Sequence, residues 1–135
     1  MRPAAVWTAD GVKPPTHPMF DPFWARVDEA GITVVVHAGD SGYSSQGYTD
    51  DDTFSAAFSG GGWRPSVRAF AIERAAYDFL ITLAFDKLFE RFPNLRVASV
   101  ENGSEFLRDL FKKLRSTARK MPGYFGDDPV ESFRR

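Results

Sequence analysis

The strongest constraint on the fold is a run of mostly β-branched residues at positions 32–36, with the sequence Ile-Thr-Val-Val-Val. The run shows no apolar–polar alternation, which is typical of a strand covered on both faces within a parallel sheet. A second run, Leu-Arg-Val-Ala-Ser-Val at residues 95–100, also has the length of a strand. Parallel neighbours need a long crossover connection, usually a helix. The chain is therefore predicted to be α/β, with two to three parallel strands.

Helix signals flank the first strand. Asp21 is in position to cap a helix over residues 22–30, with Pro22 at its first position. Gly31 stands where a left-handed stop is needed. The first helix should therefore run directly into the strand at 32–36.

Two more helices are predicted after that strand. Ser66 can cap a helix over residues 66–91, whose length favours a kink or break near residues 77–78. A third helix is indicated by apolar residues at three- and four-residue steps from Phe106 to Leu114. The resulting order of strands and helices is that of a βαβα unit.

The remaining segments are predicted to be irregular. Residues 8–19 carry prolines and a glycine among polar residues and are expected to form a loop, with a short strand considered at 4–6. Residues 38–65 are rich in glycine and longer than ordinary connections, so we expect a rim loop that acts as a lid. The tail, residues 120–135, should hold at most one turn near 129–133.

Charge and composition limit the classes of partner. Seventeen Lys and Arg against eighteen Asp and Glu give a net charge of −1, which argues against nucleic acid. The chain has no cysteine, which excludes disulfides, thiolate zinc sites and a cysteine nucleophile. The apolar runs fall far short of the roughly 20 residues that span a bilayer, and the first residues lack the apolar stretch of a signal peptide. We expect a cytoplasmic protein without a membrane partner.

Two reactive side chains stand at the predicted strand ends. In parallel α/β sheets, reactive groups gather where the strands end, and His37 and Glu101 each follow a strand. An imidazole and a carboxylate suit a divalent metal site or a general acid/base pair. The alternatives are a hydrogen-bonded structural histidine and a carboxylate that anchors the next helix.

Residues of the following loop are candidates for binding a substrate. Asp40, Ser41 and Tyr43 lie beside glycines that allow close approach to a ligand, although such residues are often plain turn formers. Arg64 can bind a substrate carboxylate through its guanidinium fork, or can be a surface residue. His17, in a proline-rich loop, is interpreted as solvated.

The remaining conspicuous residues have ordinary interpretations. The aspartates at residues 50–52 lack the spacing of a calcium loop and are read as a solvated turn. Trp24 and Trp63 are expected to serve packing.

Four phrases of the sequence together carry a resemblance to a known family. They are FDPFWAR at residues 20–26, VVHAGDSGY at 35–43, FERFPNLRV at 89–97 and ENGSE at 101–105. The chain resembles the amidohydrolase-related family of metal-dependent (β/α)₈-barrel hydrolases and decarboxylases, and is similar to aminocarboxymuconate-semialdehyde decarboxylase. The resemblance implies a single partial TIM-type barrel domain over residues 1–135.

The same resemblance implies a metal site and also shows two departures. His37 matches the histidine that ends the fifth barrel strand and ligates the metal, most often zinc. In the family's decarboxylases a catalytic histidine follows the next strand, whereas this chain has Glu101 there. The family's His-x-His pair and its late Gly-Ser-Asp motif are absent from the sequence. The chain therefore looks like a central fragment of a barrel.

The resemblance also implies a function for the intact protein and a separate expectation for this chain alone. The intact relative is expected to be a hydrolase or carboxy-lyase acting on a small, carboxylated or cyclic substrate. With an incomplete ligand set, this chain alone is expected to hold no tight metal and to be inactive. The alternatives are a non-catalytic interaction module and a small-ligand binding protein. For all of these functions, sheet edges without a neighbouring strand favour a homo-oligomer.

Overall fold

The computed structural model describes residues 1–38 and 68–134, and for residues 68–72 it describes the backbone alone. The strands are β1 (Val6–Thr8), β2 (Gly11–Lys13), β3 (Thr33–His37) and β4 (Arg96–Val100). The α-helices are α1 (Asp21–Glu29), α2 (Arg68–Phe85), α3 (Leu88–Arg91) and α4 (Phe106–Lys120), and short 3₁₀ turns span Pro18–Phe20 and Glu131–Phe133.

The predicted parallel pair is present. Strands β3 and β4 are hydrogen-bonded in parallel, with Val35 opposite Ala98 and His37 opposite Val100. The chain between them includes the helix α2, which confirms the α/β prediction. Each strand begins one residue later than predicted, and His37 is the last residue of β3 rather than the first residue beyond it.

The amino-terminal segment is only in part the loop that was predicted for residues 8–19, and the short strand considered at 4–6 is present at 6–8. Strands β1 and β2 form an antiparallel hairpin in which Trp7 lies opposite Val12. Gly11 enters the second strand at φ +97°, a conformation that favours glycine. The Thr8 hydroxyl donates to the Gly11 carbonyl at 2.6 Å. A turn glycine and a local side-chain hydrogen bond therefore produce a second strand, β2, where prolines and polar residues had indicated a loop.

Asp21 is not the cap of α1. The 3₁₀ turn Pro18–Phe20 leads directly into the helix, and Asp21 belongs to its first turn with its carboxylate paired to Arg91. The turn itself is capped by His17, whose Nδ1 accepts from the Met19 amide. The predicted stop is confirmed, because Gly31 follows the helix at φ +62°.

The long crossover helix breaks later than predicted. Lys87 has φ +53° and separates α2 from α3, whereas the expected break was at residues 77–78. Leu83 and Leu88 are both fully buried. Five residues apart, they would point about 140° from each other on one regular helix. The left-handed residue resets the helix so that both leucines reach the core.

The core lies on one side of the β3–β4 pair only. Its members come from all four helices, the two strands and the tail, and include Trp24, Val36, Leu83, Leu110 and Val130. On the other face Val35 remains 43% exposed. Coverage of the strands on both faces, as predicted from their composition, is therefore wrong for the part of the chain that the structure describes.

The tail packs back onto α4. The predicted turn is present as Glu131–Phe133, and Arg115 donates to Asp128 at 2.7 Å. Burial alone would raise the pKa of Asp128, but hydrogen bonds from Arg115 and the Val130 amide outweigh it and hold that pKa below its usual value. Among the helices of the described residues, none is long and apolar enough to cross a bilayer.

Candidate functional site

His37 stands at the carboxyl end of β3 with its imidazole half exposed. Its Nδ1 lies 2.9 Å from the Ala38 carbonyl oxygen. A carbonyl can only accept, so Nδ1 must carry a proton in this contact. In the neutral ring this leaves the lone pair on Nε2, the atom that is then free to bind a metal or accept a proton.

Glu101 follows β4 directly and faces the same imidazole. Its Oε2 lies 3.7 Å from His37 Nε2, and its side chain is 72% exposed. The backbone of Glu101 is left-handed, with φ +58°. The carboxylate does not cap the next helix, because α4 begins at Phe106 and its N-cap residue is Glu105. The structure thus brings together the two residues that the sequence had placed at strand ends.

Asn102 ties the ends of the two strands together beneath this pair. It is one of the few polar residues in the described core, with only 3% of its surface exposed. Its amide nitrogen lies 3.0 Å from the Val36 carbonyl oxygen and 2.9 Å from that of Val100. Its Oδ1 is buried without a hydrogen-bond partner among the described residues. The strand ends that carry His37 and Glu101 are therefore also bonded to each other through the Asn102 side chain.

The donor atoms of His37 and Glu101 are compatible with one shared divalent ion. Zinc bonds of about 2.0–2.2 Å place two tetrahedral ligands roughly 3.4 Å apart, close to the observed 3.7 Å. A catalytic zinc usually takes three protein ligands. Within residues 1–38 and 68–134 no group of three histidine or acidic side chains is suited to hold a metal. The described residues thus offer two ligands of an incomplete set.

The other predicted site residues fall elsewhere. Asp40, Ser41, Tyr43 and Arg64, with the predicted lid from residue 39 onward, lie outside the described residues. The same holds for Ser66, for Trp63 and for the aspartates at 50–52. His17, interpreted as solvated, is partly exposed and also caps a turn through Nδ1.

Sequence reasoning missed two contacts at this edge. Asn102 entered the sequence analysis only as part of the phrase at residues 101–105, although an asparagine just beyond a strand and before a glycine is a signal for side-chain bonding to local backbone. On the outer edge of β3, the Met1 backbone accepts from the His37 amide and donates to the Val35 carbonyl. No sequence pattern pointed to that second contact.

Comparisons with known proteins agree on one family. The sequence profile of the amidohydrolase family matches residues 3–133. Among solved structures, an amidohydrolase from Mycobacterium avium subsp. paratuberculosis K-10 superposes with a TM-score of 0.78 at 34% sequence identity. The match covers 98% of this chain and 32% of that one, so the chain spans about a third of that amidohydrolase. No curated protein sequence matches the chain.

Proposed function

This chain belongs to the amidohydrolase family, and from that premise we propose that it supplies one part of the active site of a metal-dependent hydrolase. The observation that carries the proposal is the approach of His37 Nε2 and Glu101 Oε2 to 3.7 Å at the ends of adjacent parallel strands. This edge is where catalytic groups gather in (β/α)₈ barrels. The similarity to about a third of an amidohydrolase supports a partial barrel.

His37 is the proposed metal ligand. The Ala38 carbonyl holds the ring so that Nε2 is the free donor atom, which is the second-sphere arrangement usual for histidine ligands. When bound, a divalent ion, most often zinc in this family, would supply a Lewis acid that activates water or polarises the substrate. His37 would hold the ion and fix its position relative to Glu101.

Glu101 has two roles open to it, as a second ligand or as the group that accepts a proton at Oε2. Its carboxylate favours hydrolysis over decarboxylation, because it can take a proton from an attacking water. The family's decarboxylases, including the semialdehyde decarboxylase that the sequence resembles, carry a histidine here. We therefore place carboxy-lyase activity second. A small, carboxylated or cyclic substrate is proposed, with Asp40, Ser41, Tyr43 and Arg64 as its binding residues.

The metal proposal predicts weak binding that depends on His37. With two ligands, each absent donor leaves a position held by exchangeable water, so dialysis should remove zinc from the 135-residue chain and no hydrolase activity should be measurable. In zinc titrations followed by NMR, the His37 ring resonances should shift, and His37→Ala should abolish the binding. Glu101→Gln should weaken it if the carboxylate is a ligand and leave it unchanged if it acts as a base.

The chain offers a matched control, because its only other histidine is His17. His17→Ala should leave zinc binding unchanged, since that ring caps a turn. If both histidine variants bind zinc like the wild type, the proposed site is wrong. Stoichiometric zinc that survives dialysis and is lost in His37→Ala would show instead that the chain, or an oligomer of it, completes the ligand set.

A second proposal, self-association, is supported by the open sheet face. Val35 and Ile32 are exposed apolar residues beside the parallel pair, and among the described residues no strand pairs with the outer edge of β4, an arrangement that favours addition of another chain. We expect sedimentation at micromolar concentration to give a mass above 15.1 kDa. Val35→Lys should shift the distribution toward the monomer, whereas Val12→Lys on the hairpin should not. A sharp monomer with cooperative melting would contradict this, and would also count against a non-catalytic oligomerisation module.

The reading frame on either side of this segment separates the enzyme from the other classes. A His-x-His pair upstream and a Gly-Ser-Asp motif downstream would restore the family's ligand set. Stop codons on both sides would favour the interaction module or a small-ligand binding protein.

A further inference from the structure

The buried side chain of Asn102 directs its amide nitrogen at both strand ends, although its Oδ1 has no hydrogen-bond partner among the described residues. Its Nδ2 lies within 3.1 Å of three acceptors: the carbonyl oxygens of Val36 and Val100 and the hydroxyl of Ser99. The Val100 oxygen already accepts from the Ala38 amide at 3.0 Å. Satisfying that carbonyl therefore does not require Asn102. The effect of the side chain is to bond the carboxyl end of β3 to the carboxyl end of β4.

Glu101, which directly precedes Asn102, has a backbone conformation that glutamate disfavours. Glu101 has φ +58°, in the left-handed region where residues with a Cβ are strained. Such conformations persist only when the surrounding structure enforces them, and they cluster at functional sites. Asn102 follows directly and is bonded to both strands. Asn102 is therefore placed to enforce the conformation of Glu101.

We propose that Asn102 is a positioning residue, which holds Glu101 in its left-handed conformation and thereby keeps Glu101 Oε2 beside His37 Nε2. The contact between Asn102 and Val36 adds a side-chain link between strand ends that the backbone already pairs, at the residues that directly precede His37 and Glu101. The consequence for metal binding rests on the proposed function. The positioning of Glu101 by Asn102 does not rest on the proposed function.

The first test measures the position of Glu101 without any metal, in the full 135-residue chain. At positive φ the amide and Hα protons of one residue lie close together and give a strong intraresidue NOE. Asn102→Ala should weaken this signal at Glu101 and speed the hydrogen exchange of the Ala38 amide. The matched control is Asn94→Ala near the opposite end of the same strand, where the side chain bonds to Asp28. It should change neither signal.

The second test uses Co²⁺ alone as the probe. Loss of groups that orient metal ligands typically lowers affinity by 10- to 100-fold, so we expect roughly a tenfold loss in Asn102→Ala. Asn94→Ala should bind as the wild type does. If the wild type itself shows no Co²⁺ binding at His37, the proposed function fails, and the NOE and exchange data still decide the positioning proposal.

One result would overturn the proposal: an Asn102→Ala protein that keeps the Glu101 NOE and the Ala38 protection while losing only thermal stability, which is what a purely structural role predicts. Loss of the NOE with unchanged Co²⁺ affinity, in a wild type that binds the ion, would support the positioning and contradict a ligand role for Glu101. If Asn102→Ala does not fold, Glu101→Gly is added, since glycine adopts positive φ without strain. Folding of the double variant with a protected Ala38 amide supports the proposal, and continued unfolding contradicts it.

Discussion

Trp24→Ala is expected to lower the free energy of unfolding by about 4 kcal/mol, the usual range for truncating a buried tryptophan. The indole is 1% exposed, packs edge-to-face on Phe23 with ring centroids 5.0 Å apart, and donates from Nε1 to the Pro15 carbonyl at 2.7 Å. Alanine leaves both a cavity and an unpaired carbonyl. Because total stabilities are only about 5–15 kcal/mol, this loss removes roughly a quarter to four fifths of the stability, and we expect a clearly lowered unfolding midpoint.

The chain provides the matched control in Trp7, which is 84% exposed on the hairpin. The same substitution there should change stability by no more than about 0.5 kcal/mol. Urea titrations followed by circular dichroism give both values. Equal midpoints for the two variants would show that Trp24 is not part of the core.

Arg91→Ala is expected to cost about 2 kcal/mol, since hydrogen bonds to charged groups contribute more than neutral ones. The partly buried guanidinium pairs with Asp21 and donates from its other nitrogen to the Thr16 carbonyl at 2.7 Å. It therefore joins α3 to the start of α1 and to the segment before it. Removing it leaves a carboxylate and a carbonyl of those elements without their partner.

A graded series distinguishes geometry from charge at this position. Arg91→Lys keeps the charge but loses the planar fork, so it should recover only part of the stability. Arg108→Ala, on the exposed side of α4, is the control and should be close to neutral. If Arg91→Lys has the same urea midpoint as the wild type, the paired contacts of the guanidinium do not contribute to stability. The positive charge alone then accounts for the effect of Arg91.

Much of the architecture was predictable because its signals are local. The β-branched run before His37 and the three- and four-residue steps after Phe106 indicate a strand and a helix without knowledge of any partner. The parallel arrangement follows from chain connectivity, because a helix between two strands requires a crossover. For the same reason His37 and Glu101 could be placed at one edge of the sheet before their distance was known.

Apart from the hairpin, whose turn is stabilised locally, the errors arose where a distant contact outweighs a local signal. Asp21 has the composition of a helix cap, but its carboxylate is paired with Arg91, seventy positions away. The break in the crossover helix depends on which leucines must reach the core, so it falls at Lys87 rather than at 77–78. Burial of the strands on both faces was inferred from their apolar residues, but the described part of the chain supplies helices for one face only.

The sequence by itself determined the identity of the paired groups, the order of α1, β3, the crossover helix, β4 and α4 and, through its four phrases, the family. Only the tertiary structure decided that the two side chains approach to 3.7 Å, that His37 presents Nε2, and that Asn102 bonds both strand ends. The physical reason is the separation along the sequence over which each interaction acts. Strand and helix preferences depend on neighbours within a few residues, whereas His37 and Glu101 are separated by more than sixty positions and meet only through strand register and a strained backbone.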